Sequence, residues 1–169
     1  MSRALPISFY LLLFFGLIIA NILVYRAIFA PRVLQVSILE VGKGDAILIR
    51  TPNNKTLLVD AGPDASILRA LGTALPEWQR EIDAIALTGS KTAETGGLPE
   101  VINKYHVQTI LHFGTDISYG TSLVLDGAHI DIVAPATLII DYGATSISIS
   151  SSTPADTFIS DGKTVTKIK

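Results

Sequence analysis

The sequence predicts a mixed α/β (α+β) domain behind one membrane-length helix, and three features lead there. From Ile7 to Tyr25, "ISFYLLLFFGLIIANILVY", 19 residues carry no charge. That run is enough to cross a hydrocarbon core of about 30 Å at about 1.5 Å per residue. Beyond Arg32, segments that alternate apolar and polar residues, as half-buried strands do, are interleaved with segments whose apolar residues recur at helical spacing. Clusters of Gly, Pro, Asn and Asp separate them.

Taken in order, the apolar run is flanked by Arg3 on one side and by Arg26 and Arg32 on the other, with Tyr10 and Tyr25 at interfacial positions. A cleaved signal peptide would have a shorter apolar core and a small-x-small cleavage site. Here Pro31 follows "AIFA" directly, so an uncleaved, single-pass anchor over residues 1–32 is expected. "RVLQVSILEVG" then reads as a strand, and "KGDAILIRTP" as a second one joined through Gly42 and Gly44. "NNK" turns the chain into a third strand, "TLLVDAG", so an antiparallel meander opens the domain. Pro63 and Asp64 start a helix, with Asp64 as its cap and Ile67, Leu68, Leu71 and Leu75 on one face. Pro76 ends it. "IDAIALT" is the next strand, followed by the small-residue loop "TGSKTAETGGL", a helix opened by Pro99, and the strand "VQTILHF". Asp126-Gly127 in "SLVLDGAHIDIVA" is a strong hairpin turn, and "TSISISS" a further strand. The domain is thus expected over 33–150, with a polar tail over 151–169 that holds at most a weak hairpin at Asp161-Gly162.

Charge narrows the partners. All fifteen acidic residues follow Arg32, against ten Lys and Arg there, a formal net charge of −5 on the soluble part. Non-specific nucleic-acid binding draws on a basic surplus that this domain lacks. The chain has no cysteine, which excludes disulfides and thiolate metal sites.

"VSILEVGKGDAILIRTPNNKTLLVDAGPD", followed by "ILRALGTALP", "IDAIALT" and "GGLPEVINKYHV", resembles the C-terminal metallo-β-lactamase-fold domain of the ComEC-type competence proteins, multi-pass membrane proteins that import transforming DNA. The likeness is dense over Val36 to His112 and thinner to Ser150. It implies an αββα sandwich, here truncated, with a metal-dependent hydrolase site at one edge of the sheets. A transmembrane helix directly precedes the same opening strand in that family, so the chain resembles the end of such a protein from its last span. The resemblance also implies a domain on the extracytoplasmic face of the cell membrane.

That family's metal loop reads T-H-x-D-x-D-H-x-G-G. Thr88, Gly96 and Gly97 match it, whereas the ligand positions hold Gly89, Lys91, Ala93 and Glu94. A hydrolytic metal centre wants three or more N or O donors and one position open to water. Glycine and alanine donate nothing, and Lys91 places a cation where a divalent ion would sit. No metal or other cofactor is therefore expected. Asp60, in "LVDAG", matches a position that supports the metal loop in the family; read alone, it is a strand-end aspartate bonded to the turn that follows. Asp45, after Gly42-x-Gly44, is the other acid that a residual site would use. Glu40 and Glu94 complete the one all-oxygen Mg²⁺ or Ca²⁺ set the sequence offers. His106, His112 and His129 are scattered, and Trp78 and Tyr105 are expected to pack.

The expectation is an inactive, membrane-tethered domain with a structural or binding role in DNA uptake. Its partner would be a protein, such as a competence channel subunit or a second copy, or a nucleic acid strand bound without cutting, which the net charge does not support. The competing expectation is a residual metal-dependent hydrolase, phosphodiesterase- or nuclease-like, dependent on Glu94 and Asp60. A soluble part that failed to hold a stable fold would instead point to a degraded gene product.

Overall fold

The computed structural model describes residues 7–28, 33–150 and 153–168; Arg3, Pro31 and Arg32, read above as anchor flanks, lie outside them. The chain divides into two units, 1–31 and 32–169.

The first unit is helix α1, Ile7–Ile28. Its 22 residues span about 33 Å at about 1.5 Å each. It exposes apolar side chains all round, with Leu12, Phe14, Leu17 and Tyr25 each more than half exposed. Such a helix is long and apolar enough to cross a membrane, a property that an anchor and a signal sequence share.

The second unit is built on two sheets. Strands β1 (Leu34–Ile38), β2 (Ile47–Arg50) and β3 (Thr56–Val59) form the expected antiparallel meander. Helix α2 (Ser66–Ala74) leads into β4 (Glu81–Ala86), which pairs parallel with β3. The short α3 (Thr92–Thr95) and α4 (Leu98–Lys104) lead into β5 (His106–Leu111), parallel to β4. Strands β6 (Ser122–Leu125), β7 (Ala128–Ala134), β8 (Thr137–Tyr142) and β9 (Thr145–Ile149) make a four-stranded antiparallel sheet. Asp126 and Gly127 sit at φ 54° and 83° in the β6–β7 turn, the left-handed pair that a two-residue hairpin needs.

Two apolar layers hold this together. Between the sheets, Leu34, Val36, Ile49 and Leu57 face Ile130, Ile132, Leu138 and Ile140. On the other face of the large sheet, Leu48, Leu58, Ile82 and Ile85 pack under Ile67, Leu71 and Val101 of α2 and α4. The order is therefore helices, large sheet, small sheet: three layers of the αββα arrangement. The outward face of the small sheet is mostly polar, with Ser122 hydrogen-bonded to Asp131 and with exposed His129, Ser146 and Ser148. Val124 and Val133 are its exposed apolar residues.

The last segment holds the hairpin expected at Asp161-Gly162: residues 157–168 form β10 (Thr157–Ser160) and β11 (Val165–Ile168), which pair antiparallel. It is not a separate tail, because β10 also pairs antiparallel with β1. The large sheet thereby gains two strands, in the order β11-β10-β1-β2-β3-β4-β5. The Ser160 hydroxyl, fully buried, meets the Thr145 hydroxyl at 2.6 Å and accepts from Gly162 N at 3.0 Å. Ser160→Ala takes the acceptor from Gly162 N, while the Thr145 hydroxyl keeps its bond to Tyr142 O at 2.7 Å, and is expected to cost about 1 kcal/mol, read by denaturant unfolding. No change would mean that the hairpin adds nothing to the fold.

Candidate functional site

The loop over residues 88–98 lies at the C-terminal ends of β3 and β4. Gly96 and Gly97 let it approach the 61–64 turn at backbone distance. A Cβ on Gly97 would stand 2.7 Å from Asp64 O and 2.8 Å from Ile67 Cγ2. The loop is pinned by Ala61 N donating to Glu94 O at 2.6 Å and Gly97 N donating to Gly62 O at 2.9 Å.

Asp60, just past β3, is fully buried at φ 58°. Its carboxylate accepts from Thr88 N at 2.8 Å and from the Thr88 hydroxyl at 2.6 Å. The partners are therefore on the next strand's loop, not in the turn after Asp60 as the residue alone suggested. Thr88 Oγ1 accepts in turn from Ala136 N, at 3.1 Å, in the β7–β8 turn. A single buried chain of hydrogen bonds thus ties the large sheet to the small one. Burial pushes the Asp60 carboxyl up to about 7; the Thr88 bonds oppose this, and the nearby Glu94 and Asp45 carboxylates add to it. Burial, then Glu94, raises Asp45 as well.

The ligand positions are arranged differently from a metal shell. Lys91 is exposed, so its ammonium faces solvent and not the interior place expected for it. Its backbone N–H donates to Glu94 Oε2 at 2.8 Å, and Glu94 is buried. A Cβ built on Gly89 would stand 2.5 Å from Glu94 Oε2, 2.8 Å from Cδ and 3.0 Å from Oε1. The Glu94 carboxyl thus occupies the space into which a side chain at 89 would project. Gly89 and Ala93 supply no donor there, and no group of three or more His, Asp or Glu converges on one point among the described residues. These residues do not fit a hydrolytic metal.

Gly89→Ala is expected to cost about 1–2 kcal/mol, because Glu94 must leave its seat and the Lys91 N–H. In a Glu94→Ala background the same change should cost much less. Equal penalties in both backgrounds, by denaturant unfolding, would show that the two positions do not share space.

Asp45 lies beside this loop on a cleft of about 330 Å³ lined by Val41, Gly42, Ala136, Ile149 and Thr153. Glu40 lines the same cleft but is exposed. His106 opens β5, His112 follows the end of that strand and His129 is on β7; all three are exposed. Asp64 precedes α2 by two residues and accepts from Ser66 N at 2.8 Å; the cap position is Ala65. Tyr105 packs as expected, 6% exposed, whereas Trp78 does not, at 73%. The sequence reading missed Thr88's part in joining the two sheets; its place as the matched first residue of the loop was the available signal.

No family model matches the sequence and no curated protein is significantly similar to it. Among solved structures, the chain is similar to a metallo-β-lactamase from Cronobacter sakazakii with a HARLDQ motif, at 16% identity and TM-score 0.43, over 72% of this chain and 52% of that one. It is also similar to a diphosphatase of the PhnP family, at 14% identity and TM-score 0.39, over 69% of this chain and 61% of that one. The chain thus spans between half and two thirds of the length of these structures.

Proposed function

We propose that this is a membrane-anchored, catalytically inactive metallo-β-lactamase-like domain, related to the ComEC-type competence proteins, that works by binding a protein at the extracytoplasmic face. The observation that carries the proposal is the Glu94 carboxyl seated where a residue-89 ligand would project, beside Gly89 and Ala93, which have nothing to donate. Helix α1 supplies the anchor. The partner would be a channel subunit or a second copy. Strand β11 supports either: it ends the large sheet, and Val165 and Ile168 are 40% and 45% exposed on it. An open edge strand offers its backbone to a pairing chain. The formal charge of −5 beyond Arg32 counts against nucleic acid as the main partner.

A second reading has one observation in its favour. Asp45 and Asp60 are both raised by burial and further by the nearby Glu94 carboxylate, and perturbed carboxyls gather at active sites. A residual phosphodiesterase would use them. The test is hydrolysis of bis(p-nitrophenyl) phosphate by the purified full chain with Zn²⁺ or Mn²⁺. Turnover at the level of the metal-only blank is expected. Turnover above the blank that Glu94→Ala and Asp60→Asn both abolish would overturn inactivity.

A further inference from the structure

At the opposite edge of the large sheet, where β3, β4 and β5 begin, lies a cleft of about 520 Å³ that has no part in the site above. The chain's one tryptophan, Trp78, lines it and is 73% exposed. An indole left in water forgoes a large burial gain, so a ring presented this way calls for an explanation. Its segment is tied down on both sides. Gln79 N donates to Pro76 O at 2.9 Å, Gln79 Nε2 to Glu81 O at 3.2 Å, and His106 N to Arg80 O at 2.8 Å. Trp78 is thus held out on an anchored turn.

Polar groups of both hydrogen-bonding senses line the cleft: Asn54 and Arg80 as donors, His106 as either, and Glu81, whose carboxylate already accepts from Gln108 Nε2, as an acceptor. Ligand hydroxyls can both donate to and accept from such a rim, whereas a phosphate, which at neutral pH mainly accepts, would use its donors alone. Charge agrees: Lys55 is paired with Asp83 at 2.6 Å, and Arg80 and Glu81 both line the cleft, so it has no cationic surplus. A stacked nucleotide would bring its phosphates among these carboxylates.

We infer that the Trp78 cleft binds a neutral carbohydrate. A pyranose ring has one face of C–H groups to lie on the indole and a rim of hydroxyls that both donate and accept. It is the ligand class that matches an exposed ring edged by mixed, charge-balanced polar groups. The cleft's size is in the range of small-molecule sites. The inference is independent of whether the Glu94 loop is active.

Trp78 is its own reporter, since no other tryptophan contributes fluorescence. The purified full chain is titrated with chitotetraose, maltotetraose and cellotetraose, and separately with a 12-residue oligo-dT. The expected result is a saturable change in Trp78 emission with at least one sugar at roughly millimolar concentration, insensitive to salt. By calorimetry Trp78→Ala should lose at least about tenfold in affinity, and Trp78→Phe should recover part of it. Trp78 is exposed, so unchanged circular dichroism is expected for both variants. No response to any of the three sugars up to about 10 mM overturns the inference. So does saturable, salt-sensitive binding of oligo-dT alone, which would make the cleft a base-stacking platform.

Discussion

Gly96→Ala is expected to destabilise the domain by at least about 3 kcal/mol, a large share of an ordinary stability of about 5–15 kcal/mol. Gly96 has φ −61°, a value any residue adopts, so the requirement is for space and not for conformation. An added Cβ would overlap Pro63 O and stand 2.6 Å from Pro63 C and 2.7 Å from Thr92 O. All three are backbone atoms, in the turn after β3 and in α3, and none can swing aside as a side-chain tip can. Relief would require the loop to lift off the 61–64 turn and release the Ala61–Glu94 and Gly97–Gly62 bonds. Gly72 is the matched control. It lies inside α2 with nothing within 4 Å of a built Cβ, so Gly72→Ala should stabilise by about 0.5–1 kcal/mol through helix propensity. Opposite shifts of the two variants in denaturant midpoint are the expected result. A tolerated Gly96→Ala would mean that the loop does not seat as described.

Asp60 should make stability depend on pH in the sense opposite to most carboxylates. Its pKa is 3.8 in an unfolded chain and about 7 when folded, chiefly through burial. Between those values the folded chain holds a proton that the unfolded chain has released, so stability falls as pH rises. The contribution is fully present below about pH 4 and lost above about pH 7, a total of about 4 kcal/mol at about 1.4 kcal/mol per unit. Asp83 runs the other way. Burial raises it, but its bonds with Lys55 and Thr56 outweigh that and hold it low, so its contribution is lost on acidification. The two are separated by Asp60→Asn. Asparagine tolerates the left-handed backbone at 60, keeps an acceptor for Thr88 N, and cannot ionise. The difference between the unfolding free energies of Asp60→Asn and the parent chain should therefore grow from pH 4 to pH 7 in favour of the variant. A difference constant over that range would place the Asp60 titration outside it.

Much of the fold was legible because its signals are local. The alternation in "LQVSI" and "TSISI", the helical spacing of Ile67, Leu71 and Leu75, and the Asp126-Gly127 turn each act within a few residues. Of the C-terminal strands, only the turn at Asp161-Gly162 was legible, not their place in the large sheet. "TFIS" and "VTKI" are short and half polar, and β10, between β11 and β1, finds the second of these partners across the chain: Thr157 Oγ1 reaches Ser37 Oγ, 120 positions away. The site shows the same division. That Gly89 and Ala93 lack donors can be read directly. That Glu94 folds back into the Gly89 space, that Lys91 turns outward, and that Asp60 bonds Thr88 are facts of loop packing with no periodicity to announce them. Trp78 was expected inside because aromatics usually bury. Only the anchored turn at Pro76–Arg80 shows that it stands out.

The 88–98 loop seats the Glu94 carboxyl in the space beside Gly89, and the proposed function takes this as the place where a metal-binding domain would hold ligands. Metal content tests it most directly. The full chain would be grown with added Zn²⁺ and Mn²⁺, purified in detergent without chelator, and analysed by mass spectrometry of the elements. The expected stoichiometry is below about a tenth of an ion per chain, since hydrolytic centres need three or more donors. One or two ions retained per chain, and released when Glu94 or Asp60 is replaced, would contradict the claim and make the hydrolase reading the leading one.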